Sequence, residues 1–560
     1  MSRTTRQLGL CAAAFLLLLG SRGTPAEDAA APAPTGTAAQ MQSLEELRNT
    51  VINLLQTLVD KGLLTRDQAQ LLVKQAQDKA ALDAAQNAAA AAAQAKAQEN
   101  SVRVPYVPQI VKDEISKQVA AEVQPAVVSS VVAEAKREQW GIPAALPDWL
   151  AHVHPFGDVT FRGQADMYAA DNAVNAIYDY NGINAAGGIA KDAFPFLNTS
   201  ANRDRFRLRA RLGLDAQLGA HVLSEIRLSS GSLTDPSSES QTEGTYAQRY
   251  TVGFDRAYIR WNSNVSGAFS AATAEGGRFE SPWFAPTELV YARDLQFEGL
   301  ASSLRLGFGP GEAQRSHIFA TFGAIPILEV PLEISQNKWL FGGQLGANLR
   351  LAGGADRLQF AAGYYDFRHV TGVRNPLNST VENPTAPAFI RYGNTVYNIA
   401  NNATDPTIQL WALAAHFRLV DLAARLDLGI QRRTLSLLGE AVRNVGYDRA
   451  AIEAFTGIAI ASPQDKGYVG ELSFGDPDVT QFGRWRAAVG YRYVQADAVI
   501  DAWTDADFHE AGTNAEGYYL WGDLGLANNT WLRVRYLSGN EITGPRYGVD
   551  ILQVDMNVRF

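Results

Sequence analysis

The chain ends in Ile551-Leu552-Gln553-Val554-Asp555-Met556-Asn557-Val558-Arg559-Phe560. Successive side chains of an extended strand alternate between faces, so Leu552, Val554, Met556, Val558 and Phe560 share one face, and Gln553, Asp555, Asn557 and Arg559 share the other. One face suits hydrocarbon and the other suits water. The edge strand of a soluble domain would alternate in the same way, so the choice between the two falls to the rest of the chain.

That texture runs through residues 158–560. Arg203, Arg205, Arg207, Arg209 and Arg211 alternate with Asp204, Phe206, Leu208, Ala210 and Leu212. On a helix these arginines would scatter around the axis; on a strand they form one ladder. Trp485, Ala487, Val489, Tyr491 and Tyr493 likewise oppose Arg484, Arg486, Ala488, Gly490 and Arg492, and Leu532, Val534 and Tyr536 oppose Arg533 and Arg535. Sixteen such segments start near Asp158, Arg203, His221, Thr251, Gly267, Asp294, Arg315, Lys338, Arg357, Thr407, Ala424, Lys466, Gln481, Glu516, Thr530 and Gly548.

The connections alternate in length. Leu218-Gly219, Ser263-Asn264, Gly353-Gly354, Asp476-Pro477-Asp478 and Asn528-Asn529 are short, whereas 171–202, 232–249, 369–405, 445–465 and 497–515 are long. A soluble sandwich has no reason to enforce this; a transmembrane barrel has short turns at one rim and long loops at the other. The expected fold is therefore an all-β transmembrane antiparallel β-barrel of about 16 strands over 158–560. The 48 glycines and 10% aromatic residues among 560 suit such a body, and a mean hydropathy of -0.13 does not oppose it, because lipid-facing and water-facing residues average out. The net charge of -9 argues against nucleic acid as a partner.

Arg3 and Arg6, an apolar run from Leu8 to Leu19, and small residues up to Thr24-Pro25-Ala26 make residues 1–26 a cleavable signal peptide. The run is too short for the ~20 residues of a spanning helix. The single cysteine, Cys11, lies within it, so the exported chain has no disulfide framework. Residues 27–42 read as a flexible linker.

Residues 43–157 read as an α-helical periplasmic region with coiled-coil features. Ser43 and Glu46 form a capping box ahead of Leu44, Leu47, Val51, Leu54, Leu55, Leu58 and Val59. After Pro105 and Pro108, Val111, Ile115, Val119, Val123, Val127 and Val131 recur every fourth residue. That step drifts around a helix and Pro125 interrupts it, so the region reads as an amphipathic stalk. It serves equally as a self-associating stalk, a contact with peptidoglycan, or a solvated tether.

Val102-Arg103-Val104-Pro105-Tyr106-Val107-Pro108, Ala145-Leu146-Pro147-Asp148-Trp149, the ladder ending Arg211-Leu212-Gly213, Phe254-Asp255-Arg256-Ala257-Tyr258, the run from Lys338 to Gly346, Tyr364-Tyr365-Asp366-Phe367 and Tyr491-Arg492-Tyr493 together resemble a family of Gram-negative outer-membrane proteins grouped as putative porins. The resemblance covers nearly everything after Ser43. It departs at Arg278, where lysine is expected. Phe560 and Val558 resemble the carboxyl-terminal sorting signal read by the barrel assembly machinery, with Val558 where tyrosine is common. The resemblance implies a homotrimer in outer-membrane lipid, with the helical region in the periplasm, passing small hydrophilic solutes by passive diffusion.

About sixteen strands enclose a water-filled lumen, and the polar faces must line it, because each outward arginine would cost roughly 2–4 kcal/mol near the bilayer midplane. The expected pore-lining residues are Arg203, Arg205, Arg207, Arg209, Arg211, Arg227, Arg256, Arg260, Arg484, Arg486, Arg492, Arg533, Arg535 and Asp555. A basic wall favours anions. The competing reading is that Asp166, Asp215, Glu225, Asp427 and Asp555 neutralise it. No catalytic, cofactor-binding or metal residue is nominated: the seven histidines are scattered, His152-x-His154 reads as linker, and Asp505, Asp507 and Glu510 read as a solvated acidic loop rather than a calcium site. Two other classes stand beside the channel: a structural anchor tethering the cell wall through the stalk, and a barrel-embedded lipid hydrolase. The segment 369–405 is the longest candidate for an inward-folded constriction.

Overall fold

A computed structural model describes residues 152–263, 271–308, 316–331, 336–351 and 356–560. They belong to a compact unit running Leu146–Phe560. The signal peptide, the linker and the helices expected before residue 152 lie outside the described residues, as do the turns expected at Asn264 and at Gly353-Gly354.

Sixteen long strands are present among the described residues. In chain order they are β1 Val153–Tyr168, β2 Arg203–Leu218, β3 Val222–Ser230, β4 Val252–Ser263, β5 Ala271–Glu280, β6 Gln296–Phe308, β7 Ser316–Leu328 and β8 Lys338–Arg350. They continue as β9 Arg357–Arg368, β10 Phe417–Ile430, β11 Arg433–Asn444, β12 Lys466–Gly475, β13 Trp485–Val494, β14 Ala515–Ala527, β15 Thr530–Glu541 and β16 Gly548–Arg559. Each pairs antiparallel with its sequence neighbours. β1 also pairs with β16, from Asp158↔Arg559 to Tyr168↔Val549, so the sheet closes and no edge is left.

The alternation read at the carboxyl terminus is the alternation of the wall. Gln553 and Asp555 are 0% and 3% exposed, while Phe206, Leu212 and Leu214 on β2 are about half exposed, at 52%, 54% and 51%. Apolar side chains outside and polar ones inside reverse the order of a water-soluble protein and match a barrel solvated by lipid.

The strands expected near Thr407 and Ala424 are misplaced: they are β10 and β11, and Ala424 lies within β10. The apolar residues after Thr407 belong instead to a small hairpin, Trp411–Leu413 against Val396–Asn398, inside a long connection. β10 and β11 join through Gln431-Arg432 alone, with Gln431 at φ 57°.

Connections at one rim are short, as at 219–221, 431–432 and 528–529, and most at the other rim are long: 169–202, 231–251, 281–295, 369–416, 445–465 and 495–514, with 542–547 a short exception. The long ones have their own structure. α1, Tyr180–Ala186, starts at Asp179, whose carboxylate accepts from Gly182 N, and α2, Arg449–Thr456, starts the same way at Asp448 and ends at left-handed Gly457.

Segment 281–295 turns into the lumen. The Trp283 ring occupies the space that a Cβ at Gly342 would need and packs against Tyr291, Phe297 and Tyr365 with centroids 5.4, 5.2 and 5.0 Å away. On the far side, Thr287 donates through N and Oγ1 to Glu440 Oε2 on β11, at 3.2 and 2.5 Å. Leu289, Val290, Tyr291, Ala292 and Leu295 are buried in one apolar cluster with Val370, Ile399 and Val499, so segments 281–295, 369–416 and 495–514 pack together. The inward fold thus uses three long connections, with 369–416 as one of them.

Candidate permeation path

The arginine ladder faces inward, and each inward member meets a carboxylate. Arg205 Nη2 lies 2.9 Å from Asp166, and Arg209 bridges Asp158 and Asp294 at 3.3 and 3.2 Å. Arg211 meets Asp158 at 2.8 Å and Glu239 at 3.3 Å. On the following strands Arg227 pairs with Asp255 and Glu239, Arg256 with Glu225 and Glu280, and Arg260 with Glu275. Arg486 and Arg533 share Asp523, whose side chain is fully buried.

Other nominated residues sit apart. Arg203, at the outer end of the ladder, is exposed, and Arg484 lies in the short connection 476–484, paired with Asp476 at 3.0 Å. Arg492 is 3% exposed and hydrogen-bonded to Thr504 Oγ1 and the carbonyl of Glu288, neutral oxygens of the infolded segments. His154 pairs with Asp215 at 2.9 Å, which takes that acid away from the arginines.

The strands β15, β16, β1 and β2 are neighbours and present Arg535, Gln553, Arg162 and Arg207 to a single carboxylate, that of Asp507 in segment 495–514. Arg162 Nη1 donates to Asp507 Oδ1 and Oδ2 at 2.8 and 3.0 Å, Arg535 Nη1 to Oδ2 at 2.7 Å, and Gln553 Nε2 to Oδ1 at 3.0 Å. Arg207 Nη1 stands 3.8 Å away. Burial works to raise the Asp507 carboxyl, but Arg162, Arg535 and Arg207 together hold it well below the usual carboxylate range. Asp507 is therefore no part of a solvated acidic loop, and that expectation is corrected. Its side chain is 17% exposed and its charge is spent on the wall.

Two cavities meet this layer. One, of about 280 Å³, lies among the long connections and is lined by Arg205, Arg207, Arg391, Asp235, Asp507 and Glu510, with Tyr178, Tyr392 and Tyr547. The other, of about 170 Å³, lies below and is lined by Arg293, Arg425, Arg486, Arg492, Arg533 and Arg535 against Glu288, Glu471 and Asp505. Asp507 borders the first, and Asp505 and Arg535 border the second, so the Asp507 contacts lie where the two cavities adjoin.

Sequence reasoning did not find Asp158, Glu239, Asp294, Asp507 or Asp523 as partners of the arginines, or Arg162 as a wall residue. A usable signal existed for the infolded segments. Trp283, Phe284, Leu289, Val290 and Tyr291, and Val499, Ile500, Trp503 and Phe508, are too apolar for loops bathed in water.

A search of the curated proteins returns no match. Among solved structures, OprB of Pseudomonas putida is similar at 12% identity and a TM-score of 0.41, over 75% of this chain and 97% of that one. The outer membrane channel DcaP of Acinetobacter baumannii is similar at 12% identity and 0.35, over 73% and 97%, and OmpF of Salmonella typhi at 11% and 0.36, over 73% and 97%. A family model described as Putative porin matches residues 48–560, nearly the whole chain. By that match, carried on a closed barrel with apolar residues outside and polar residues inside, the chain belongs to the putative porin family of outer-membrane channels.

Proposed function

We propose that this channel passes small hydrophilic solutes by passive diffusion and prefers anions. The observation that supports the preference is the inner cavity, whose lining has six arginines and three carboxylates; Asp523, Asp427 and Asp507 pair with four of those arginines, and among the described residues Arg492 is held by neutral oxygens alone. Fixed charge lining a narrow aqueous passage raises counter-ion occupancy. The pairing along the ladder supports a moderate preference rather than a strong one, because a guanidinium bound to a carboxylate adds little net field beyond the Debye length of ~8 Å. The reversal potential of the purified protein in a planar bilayer under a potassium chloride gradient tests this. A potential displaced toward the chloride equilibrium value is expected, and displacement toward potassium overturns the preference.

The reading extends to assembly. The apolar outward face suits packing of three barrels in lipid, the terminal Phe560 suits recognition by the barrel assembly machinery, and the helical region before the barrel suits a contact with peptidoglycan. No residue is assigned a catalytic role. Cross-linking in native membranes that traps only monomers would remove the trimer from this reading.

A further inference from the structure

We propose that Arg162, Arg207, Arg535 and Gln553 form a carboxylate-binding station for permeating solutes, and that Asp507 is its tethered occupant. This rests on the channel reading and deepens it by naming a substrate class, solutes that carry a carboxylate.

The geometry is that of a bound ligand. A carboxylate offers about four lone-pair positions in its plane. Asp507 fills them with two contacts from Arg162, one from Arg535 and one from Gln553, all from side chains of the barrel wall. Arg207 is the least engaged with Asp507: its Nη1 is 3.8 Å away, its Nη2 donates to Ser238 Oγ and the Ser240 carbonyl at 3.1 and 3.4 Å, and its buried Nε has no hydrogen-bond partner among the described residues. A second acceptor has a donor waiting there.

The charges favour exchange. Arg162, Arg207 and Arg535 face Asp507 and Asp555, because Arg162 also donates to Asp555 through Nε and Nη2 at 2.7 and 3.0 Å. Withdrawal of Asp507 leaves Arg535 without its carboxylate hydrogen bond, while Arg162 keeps Asp555, and Asp505 and Asp235 stay near Arg535 and Arg207. An incoming carboxylate restores the balance contact by contact, whereas a neutral solute breaks the same ion pairs without replacing them.

The segment that carries Asp507 is also strained. His509, Glu510, Ala511 and Asn514 have φ of 54°, 61°, 88° and 59°, the left-handed region that non-glycine residues seldom adopt. A segment held in such a backbone by contacts to the wall relaxes when those contacts pass to another anion. Because these contacts lie where the two cavities adjoin, a solute going from one to the other meets them.

The full-length protein and its Asp507→Asn and Arg535→Gln variants are reconstituted in planar bilayers and proteoliposomes, with the folded fraction of each checked by heat-modifiable gel migration. In wild type, sodium acetate and succinate should enter liposomes several-fold faster than a neutral sugar alcohol of similar size. Arg535→Gln should lose that advantage. Asp507→Asn, close to isosteric, should conduct several-fold better and shift the chloride reversal potential further toward anions. An Asp507→Asn channel with wild-type conductance and selectivity overturns the station. Inorganic phosphate entering as fast as the carboxylates overturns the assignment to carboxylates. Absence of conductance in all three folded proteins overturns the channel itself, and the station with it.

Discussion

Arg162 and Asp555 stand directly opposite one another across the seam between β1 and β16, joined by two parallel hydrogen bonds of 2.7 and 3.0 Å. Their side chains are 13% and 5% exposed, and the bidentate geometry is the strong form of an arginine–carboxylate contact. Asp555 comes from the carboxyl-terminal stretch, so the last strand both closes the sheet and sets the charge of its inner wall.

Asp555→Ala should therefore weaken the closed barrel. Removing one partner of a largely buried pair costs about 3–5 kcal/mol when the other charge is left uncompensated, and because Arg162 keeps Asp507 the loss should fall below that range. The expected result is a lower temperature for loss of the compact, detergent-resistant form. Arg162 also holds Asp507, so the losses in Asp555→Ala and Asp507→Asn should not add in the double variant. Additive losses would show that the two carboxylates do not share Arg162.

Trp283→Ala should release segment 281–295 from the wall without opening the barrel. The ring packs against Tyr291, Phe297 and Tyr365, and truncating a buried tryptophan costs roughly 3–5 kcal/mol, here borne by the docking of one segment. Gly342→Val should act from the other side, since its side chain claims the space the ring now fills. Both variants are expected to show larger and noisier single-channel currents than wild type. Unchanged currents in both would mean that this segment does not narrow the path.

The wall was legible in the sequence and the lumen was not, for a physical reason. A strand between lipid and water must alternate, so Arg203–Leu212 and Ile551–Phe560 declare their faces residue by residue, and the closure expected near Asp158 is found at Asp158↔Arg559. Asp507 meets Arg162 across 345 positions, through a segment with no period, and its partner is set by packing. The same holds for Asp294, which reaches Arg209 only because segment 281–295 folds inward. The hairpin at Trp411–Leu413 misled for the converse reason: it is a real strand pair that does not belong to the wall.

Deleting Phe560 should reduce assembly more than it reduces the stability of barrels that do form. Its N donates to the carbonyl of Gly157 and its own carbonyl accepts from Gly157 N, both at 3.0 Å, at the rim where the seam begins. The ring is 61% exposed, so its burial within the barrel contributes little. The expected outcome is less folded protein in the outer membrane, with Phe560→Tyr close to wild type. Equal yields from the deletion and wild type would remove Phe560 from the sorting role.

Segment 495–514 should dock more firmly in acid than at neutral pH. Asp497 accepts from Thr395 N and Oγ1 at 2.9 and 2.7 Å, and Asn394 Nδ2 donates to the carbonyls of Ala496 and Val499 at 2.6 and 2.8 Å, so these contacts bind the segment to 369–416. Burial pushes the Asp501 carboxyl up to about 7 and Asp497 up to about 6. Below the ordinary aspartate value near 4 both groups are protonated whether the segment is docked or free, and no penalty arises. As the pH rises, the free segment ionises first, and docking loses about 1.4 kcal/mol for each unit of difference until the pH passes the docked value. Through these two groups docking should thus weaken between pH ~4 and ~7. Hydrogen exchange at the amides of Asp497 to Asn514 should be slower at pH 5 than at pH 7.5 once corrected for the intrinsic rate. Asp501→Asn, which cannot ionise, should flatten most of that slope. A slope equal to wild type in Asp501→Asn would assign the effect to another group.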